Sequence, residues 1–339
     1  MSHEVAVRQF TSLELCAGAG GQALGLEMAG FKHLALVEIE QRACETLRIN
    51  RPQWNVIGPP SDEPLVGDIY HFHAHDYRGT VDLLAGGVPC PPFSMAGKQL
   101  GHLDERDLFP EALRIIEECL PRAIMLENVR GLLNSVFKDY RASIINRLQK
   151  LGYLAEWHQL NASAFGVPQL RPRSILVALR PGVWKHFDWP DKNPEALCAP
   201  PTVGETLVKM MAANGWEGAQ AWAARANSIA PTLVGGSKKH GGPDLGPTRA
   251  QQAWATLGVD GTQLANEPPL PGFVGMPRLT VPMAALIQGF PPNWEFSGKK
   301  TPAFRQVGNA FPPPVAEAMG RAIRSALIQA EANQFALAT

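Results

Sequence analysis

The chain has 339 residues, 45% of them hydrophobic, and its 31 basic and 31 acidic side chains leave no net charge. That length fits one large domain or two, and the apolar share is that of a globular protein with a substantial core. Zero net charge excludes a uniformly basic nucleic-acid binder but leaves room for charge segregated onto one face. Five cysteines, Cys16, Cys44, Cys90, Cys119 and Cys198, are dispersed without a CxxC pair. They read as a reduced intracellular protein with neither disulfides nor a structural zinc site. Met1 to Phe10 lacks the apolar core of a signal peptide, no run reaches membrane-span length, and there is no internal repeat.

Ser12 to Cys16 reads as a short strand, Ala17-Gly18-Ala19-Gly20-Gly21 as a turn, and Gln22 to Ala29 as a helix. Glycines in such a turn let the backbone approach a ligand facing the helix amino terminus. Gly18-x-Gly20-x-x-Ala23 fits the loose dinucleotide fingerprint, and it equally fits a plain tight turn. His33 to Ile39 is a second strand. Glu38 follows the glycines by about twenty residues, the spacing at which a carboxylate accepts from ribose hydroxyls; a strand-end surface acid is the other reading. Gln41 to Asn50 is a helix, and Gly67-Asp68-Ile69 is expected at a third strand end. In His71-Phe72-His73-Ala74-His75-Asp76, alternating histidines raise the question of a metal. One local segment cannot supply a closed tetrahedral shell, so a solvated loop and no metal are expected.

Val81 to Ala85 is a buried strand running through Gly86-Gly87 into Pro89-Cys90-Pro91-Pro92. The prolines fix φ and remove donors, so Cys90 sits on a rigid loop at a strand's carboxyl end, where open α/β sheets bind ligands. Taken alone, Cys90 is as well explained as a small turn hydrophobe. The aperiodic stretch from Ser94 to Asp107 reads as a lid. Phe109 to Cys119 is an amphipathic helix and Ala123 to Val129 a strand. Burial of Glu127 at its end would raise the carboxyl pKa and suit a proton-sharing role; a helix-capping acid before Arg130-Gly131 is the other reading. Asp139 to Leu151 is a helix, and Leu154 to Leu160 and Ser174 to Leu179 are a strand pair. Between them Arg171 and Arg173 are expected to point to opposite sides, one toward a pocket and the other toward solvent or an acid; a surface pair of arginines is the other reading. From about Trp189 to Pro282 the chain is rich in proline and glycine with few clear elements, which marks a domain boundary. There Thr232 to Gly242 is basic and glycine-rich, fit to lie along phosphates or to be a surface loop. Leu279 to Phe290 and Val315 to Gln329 read as helices.

The order of these motifs resembles the DNA (cytosine-5)-methyltransferase family, nearly end to end. Pro89-Cys90, Glu127-Asn128-Val129 and Gln169-x-Arg171-x-Arg173 carry the resemblance, with Glu14 to Gly21, Glu38, Gly67 to Ile69 and Gln306 to Asn309 around them. The resemblance implies an α/β fold: a Rossmann-like S-adenosylmethionine-dependent methyltransferase sheet with helices on both faces, plus a smaller, irregular target-recognition domain. It divides the chain into a catalytic and cofactor-binding domain at 1–188, target recognition with a hinge at 189–296, and a carboxyl-terminal segment at 297–339 that completes the catalytic domain.

It also implies a role for each matching residue. Cys90 is the nucleophile that adds to carbon 6 of a cytosine flipped out of duplex DNA, Glu127 relieves charge at nitrogen 3, and Arg173 grips the base's carbonyl oxygen. Arg171 supports Cys90 and Glu127. The cofactor S-adenosylmethionine, which leaves as S-adenosylhomocysteine, is held by Ala17, Gly18, Gly20, Gly21, Glu38, Ile39, Asp68, Ile69 and Asn309. DNA is met by Ser94, Thr232, Leu233, Gly235, Gly236, Lys238 and Lys239. Two positions depart from the family pattern: Cys16 stands where phenylalanine usually stacks on the adenine, and Pro91 where glutamine commonly follows the nucleophile. A bacterial, cytoplasmic, nucleoid-associated enzyme is implied, monomeric or dimeric on DNA, with or without a cognate restriction endonuclease. The rival readings are cytosine-5 methylation of RNA, a nicotinamide-dependent Rossmann dehydrogenase, and an idle DNA-binding module.

Overall fold

The computed structural model describes residues 8–60, 65–90, 107–235 and 242–338, with side chains to 333. Ten elements build the first half: β1 (Phe10–Leu15), α1 (Gly21–Met28), β2 (Phe31–Val37), α2 (Gln41–Asn50), β3 (Val56–Ile57), β4 (Leu83–Gly86), α3 (Phe109–Cys119), β5 (Ala123–Val129), α4 (Lys138–Lys150) and β6 (Leu154–Asn161). The second half has β7 (Pro172–Leu179), α5 (Pro181–Trp184), α6 (Val203–Met211), α7 (Ala219–Arg225), α8 (Thr248–Thr256), α9 (Val281–Ile287), α10 (Lys300–Asn309) and α11 (Pro313–Ala338).

The strands form one seven-stranded sheet in the order β3-β2-β1-β4-β5-β7-β6. The ladders among β1 to β5 are parallel, and β7 runs antiparallel to both β5 and β6. Strands buried on both faces read as continuous apolar runs, and alternation then sorts them between two layers. Leu83, Ala85, Ala123 and Met125 face a core shared with Leu26 of α1 and Met319, Ile323 and Leu327 of α11. Leu84, Ile124 and Leu126 face the opposite core with Ile115 and Ile116 of α3 and Ile144 and Leu148 of α4. The fold is thus the expected Rossmann-like α/β sheet with helices on both faces, and the carboxyl-terminal helix packs on the first one.

Three elements differ from the sequence reading. The third strand is Val56–Ile57, and Gly67-Asp68-Ile69 is a turn beyond it. Among the described residues, the middle of the chain carries three helices, α6, α7 and α8. The first, α6, is started by a capping box in which Thr202 Oγ1 accepts from Glu205 N–H and Glu205 Oε2 accepts from Thr202 N–H. A helix also covers Lys300–Asn309, just before the prolines. Trp216, Trp222 and Trp254 of the middle region share a core with Leu36, Leu47 and Trp54 of the sheet region. No helix is long and apolar enough to cross a membrane among the described residues.

Candidate functional site at the carboxyl edge of the sheet

Parallel pairing of β1, β2, β4 and β5 brings their carboxyl ends to one edge, where a cavity of about 540 Å³ opens. Its first wall is the glycine turn. Gly20 precedes α1 at φ 84, a left-handed conformation that a side chain strains, and a Cβ there would lie 2.6 Å from Leu47. Gly20 therefore shapes the turn without lining the cavity, which Ala17, Gly18 and Gly21 do line. Glu38, at the end of β2, accepts from Gly18 N–H at 2.6 Å and from Glu40 N–H at 2.7 Å. Burial raises its pKa, and those amide bonds work against the rise. Ile39, Asp68, Ile69 and Asn309 line the same cavity, as does Cys16. Asp68 accepts from Tyr70 N–H at 3.0 Å.

The floor of the cavity is made by Gly87, Pro89 and Glu127. Cys90 lies four residues past β4, and its thiol donates to Asn128 Oδ1 at 2.9 Å. Burial and the Asp107 carboxylate push this thiol up to about 11. Glu127 Oε2 abuts Gly87, at 3.4 Å from where a Cβ would stand. Burial raises the Glu127 pKa, opposed by the charges of Arg173 and Arg171. Arg173 is paired with Val129 in the β5–β7 register, so Glu127 is its diagonal neighbour, and Nε lies 2.7 Å from Glu127 Oε1.

Arg171 and Arg173 do not diverge. Residues two apart in extended chain share a side, both are buried, and both act on Glu127. Arg171 is fully buried, with Nη1 donating to Leu233 O and Gln169 Oε1 and Nη2 donating to Gly308 O and Ala310 O. Its hydrogen bonds thus tie two distant chain segments rather than touching Cys90. Thr232 Oγ1 donates to Leu170 O at 2.5 Å, and Leu233 N–H to Gln169 Oε1 at 2.8 Å, so these polar groups are engaged within the protein. Gly235 lies against α10: a Cβ on Gly308 would stand 2.3 Å from Gly235 N. Ser94 and Pro91 with most of the expected lid, and Gly236, Lys238 and Lys239, lie outside the described residues.

The sequence reading assigned no role to Glu14 or Gln22, yet both line the cavity. Glu14 is 1% exposed and its Oε2 has no hydrogen-bond partner; both polar atoms of Gln22 are in the same state. Burial, then Glu38, raises the Glu14 pKa well above the ordinary carboxyl range. The available signal was an acid inside an apolar strand immediately ahead of a glycine turn. A buried carboxyl without a partner is costly unless a ligand supplies one. The cavity therefore suits a ligand with a diol near Glu38 and a cationic group near Glu14, beside a cysteine and a carboxyl that can meet a second molecule.

Residues 10–325 match the family model described as C-5 cytosine-specific DNA methylase. The chain is 56% identical over 322 residues to Type II methyltransferase M.NgoMIV of Neisseria gonorrhoeae, covering 94% of this chain and 98% of that protein. It is also 56% identical over 319 residues to Type II methyltransferase M.NaeI of Lentzea aerocolonigenes, covering 93% of this chain and 75% of that one. A crystal structure of a Spodoptera frugiperda DNMT2 variant shares the fold at a TM-score of 0.62 and 20% identity, over 93% of this chain and 99% of that chain.

Proposed function

The chain belongs to the family of C-5 cytosine-specific DNA methylases, and from that premise we propose which of its residues carry the reaction. The enzyme transfers a methyl group from S-adenosylmethionine to carbon 5 of cytosine in duplex DNA. S-adenosylmethionine, when bound, supplies the electrophilic methyl group. The residues present fit it: the orphaned Glu14 carboxyl suits the methionine ammonium, Glu38 the ribose hydroxyls, and Ile39 and Ile69 the adenine faces. Ala17, Gly18 and Gly21 offer backbone, Asp68 an acceptor for the adenine amine, and Asn309 the opposite wall. Cys16, smaller than a stacking ring, leaves more room at the adenine.

Cys90 is the nucleophile. As a thiolate, its sulfur forms a bond to carbon 6 of the flipped-out cytosine, which makes carbon 5 electron-rich. Glu127, whose pKa burial raises against the charges of Arg173 and Arg171, donates a proton to nitrogen 3 as negative charge develops there. Arg173 holds Glu127 and the base's carbonyl oxygen. Once carbon 5 carries the transferred methyl group, loss of its proton to a base expels Cys90 and restores the ring. Arg171 is a positioning residue. The observation that carries this reading is the convergence of Cys90, Glu127 and the glycine-turn cavity on one sheet edge.

Residues 189–296 are assigned target recognition, and 1–188 with 297–339 catalysis. The relatives are Type II methyltransferases, proteins of restriction–modification systems acting on duplex DNA. For this chain we extend that to a cytoplasmic enzyme at the nucleoid, acting on DNA as a monomer, with a cognate endonuclease as its genetic partner. Expression in a methylation-free host followed by bisulfite sequencing tests the function. Protected cytosines within one repeated sequence context, absent with Cys90→Ala, are expected. Conversion of every cytosine by a stably expressed protein, or methylation confined to transfer RNA, overturns it.

A further inference from the structure

We propose that His73, His75 and Glu118 form a binding site for a divalent transition-metal ion of the zinc class, outside the cofactor cavity. The local histidine segment does not close a metal shell by itself, but the fold brings a carboxylate to it from α3. Glu118 Oε1 lies 3.2 Å from His73 Nδ1, and Oε2 lies 3.6 Å from His75 Nδ1. One ligand atom from each of the three residues lies within 4.8 Å of the others. Around a tetrahedral ion, nitrogen and oxygen ligands stand about 3.3 Å apart. The two imidazoles are 65% and 68% exposed, so rotation about their side-chain bonds can close the remaining gap. The carboxylate is the fixed partner. It is 9% exposed, and its Oε2 accepts from Ala74 N–H at 2.7 Å, which locks the histidine-bearing loop to α3.

Two imidazoles and one carboxylate select zinc, cobalt, nickel or copper over magnesium or calcium, which prefer all-oxygen sites. With three protein ligands the ion keeps one position for water. Arg114 opposes the ion. Its Nη1 donates to Glu118 Oε1 at 2.5 Å and lies 3.3 Å from His73 Nδ1. Arg114 is nonetheless held independently by Glu111 and by the carbonyls of Ile69 and Phe72. It can keep its place while Glu118 turns lone pairs toward the ion. The cost of that cation holds the affinity below that of a structural zinc centre. Ile69 also lines the cofactor cavity, so the ion would brace the outer side of that wall.

Cobalt(II) titration of the untagged full-length protein tests this, followed by zinc displacement. One equivalent of cobalt should bind saturably, with d–d absorption and no thiolate charge-transfer band, and zinc should displace it. His73→Gln combined with His75→Gln should weaken binding about 10- to 100-fold while methyl transfer persists, which confirms that the variant folds. Absence of saturable binding overturns the proposal. So does a charge-transfer band that places the ion on a cysteine, or equal affinity in the double variant.

Discussion

The Cys90 thiol and the Asn128 amide face each other across 2.9 Å, with the sulfur donating to Oδ1. Asn128 is itself fixed, because Nδ2 donates to Val88 O at 2.7 Å and Oδ1 also accepts from Val129 N–H at 2.8 Å. The amide thus presents an acceptor, which favours the thiol over the thiolate. Burial and Asp107 act in the same direction. In this conformation the nucleophile is held protonated, and its activation belongs to the DNA-bound state.

Alkylation of Cys90 by iodoacetamide in the DNA-free enzyme should therefore rise about tenfold per pH unit and level off near 11, against an ordinary thiol midpoint of about 8.5. Peptide-level mass spectrometry separates Cys90 from the exposed Cys198. A plateau at or below pH 8.5 would show that the thiol is already activated and would sink this reading.

Glu127→Gln keeps shape and burial but removes the transferable proton. General acid catalysis contributes typically about 10²- to 10⁴-fold, so kcat should fall by at least about 100-fold. Binding of S-adenosylmethionine, measured by calorimetry, should stay close to wild type. A variant with unchanged kcat refutes a proton-donating role.

Arg171 and Arg173 separate by readout. Arg171 satisfies the carbonyls of Leu233, Gly308 and Ala310, three buried acceptors from two distant segments. Lysine presents a point charge that cannot span them, so Arg171→Lys should cost about 2 to 4 kcal/mol in urea unfolding. Arg173→Lys should leave unfolding nearly unchanged and lower kcat. Equal stability losses for the two variants would erase the distinction.

Glu14→Gln tests the unassigned carboxyl. A hydrogen bond to a charged group contributes about 1.5 to 3 kcal/mol, so affinity for S-adenosylmethionine should fall by roughly 10- to 100-fold. The ligand-free protein should melt no earlier than wild type, because burial costs an ionised carboxyl more than it costs a neutral amide of the same shape. Undiminished cofactor affinity would remove Glu14 from the site.

Most of the sheet was readable because β1, β4, β5 and β7 are largely apolar runs and the helices α2, α3 and α4 repeat at helical spacing. Cys90 and Glu127 were legible at strand ends because glycine and proline punctuate the chain there. The middle helices were hidden by the proline- and glycine-rich segments between them, although Thr202 and Glu205 spelled a capping box. Lys300–Asn309 was masked by Pro302 and Gly308, the latter needed where α10 meets the backbone of Gly235. Arg171 was legible as a motif residue, but its bonds to Gly308 and Ala310 span 137 and 139 positions, and no local pattern encodes contacts of that range. Glu14 escaped because an acid in a core strand reads as an exception to the pattern until the fold points it into a cavity.

His33 gives the protein a specific acid sensitivity unrelated to catalysis. Its ring is enclosed between β1 and α1, with Nδ1 2.8 Å from Ser12 Oγ and Nε2 3.0 Å from Ala23 O. A carbonyl only accepts, so Nε2 carries the proton of a neutral ring and Nδ1 can accept from the serine. The ring also meets the edge of Trp54. Burial lowers its pKa from 6.5 to about 4, partly offset by the Ala23 carbonyl and Glu27. Between those two values the unfolded chain binds a proton that the folded one does not, so stability falls as pH drops from 6.5 toward 4. At pH 5 the loss attributable to this one group is about 2 kcal/mol. Urea unfolding at pH 7 and pH 5 should show a decline in wild type that is smaller by about that amount in His33→Gln, whatever that variant loses at neutral pH. Equal declines in the two proteins would mean that the ring is protonated in the folded state.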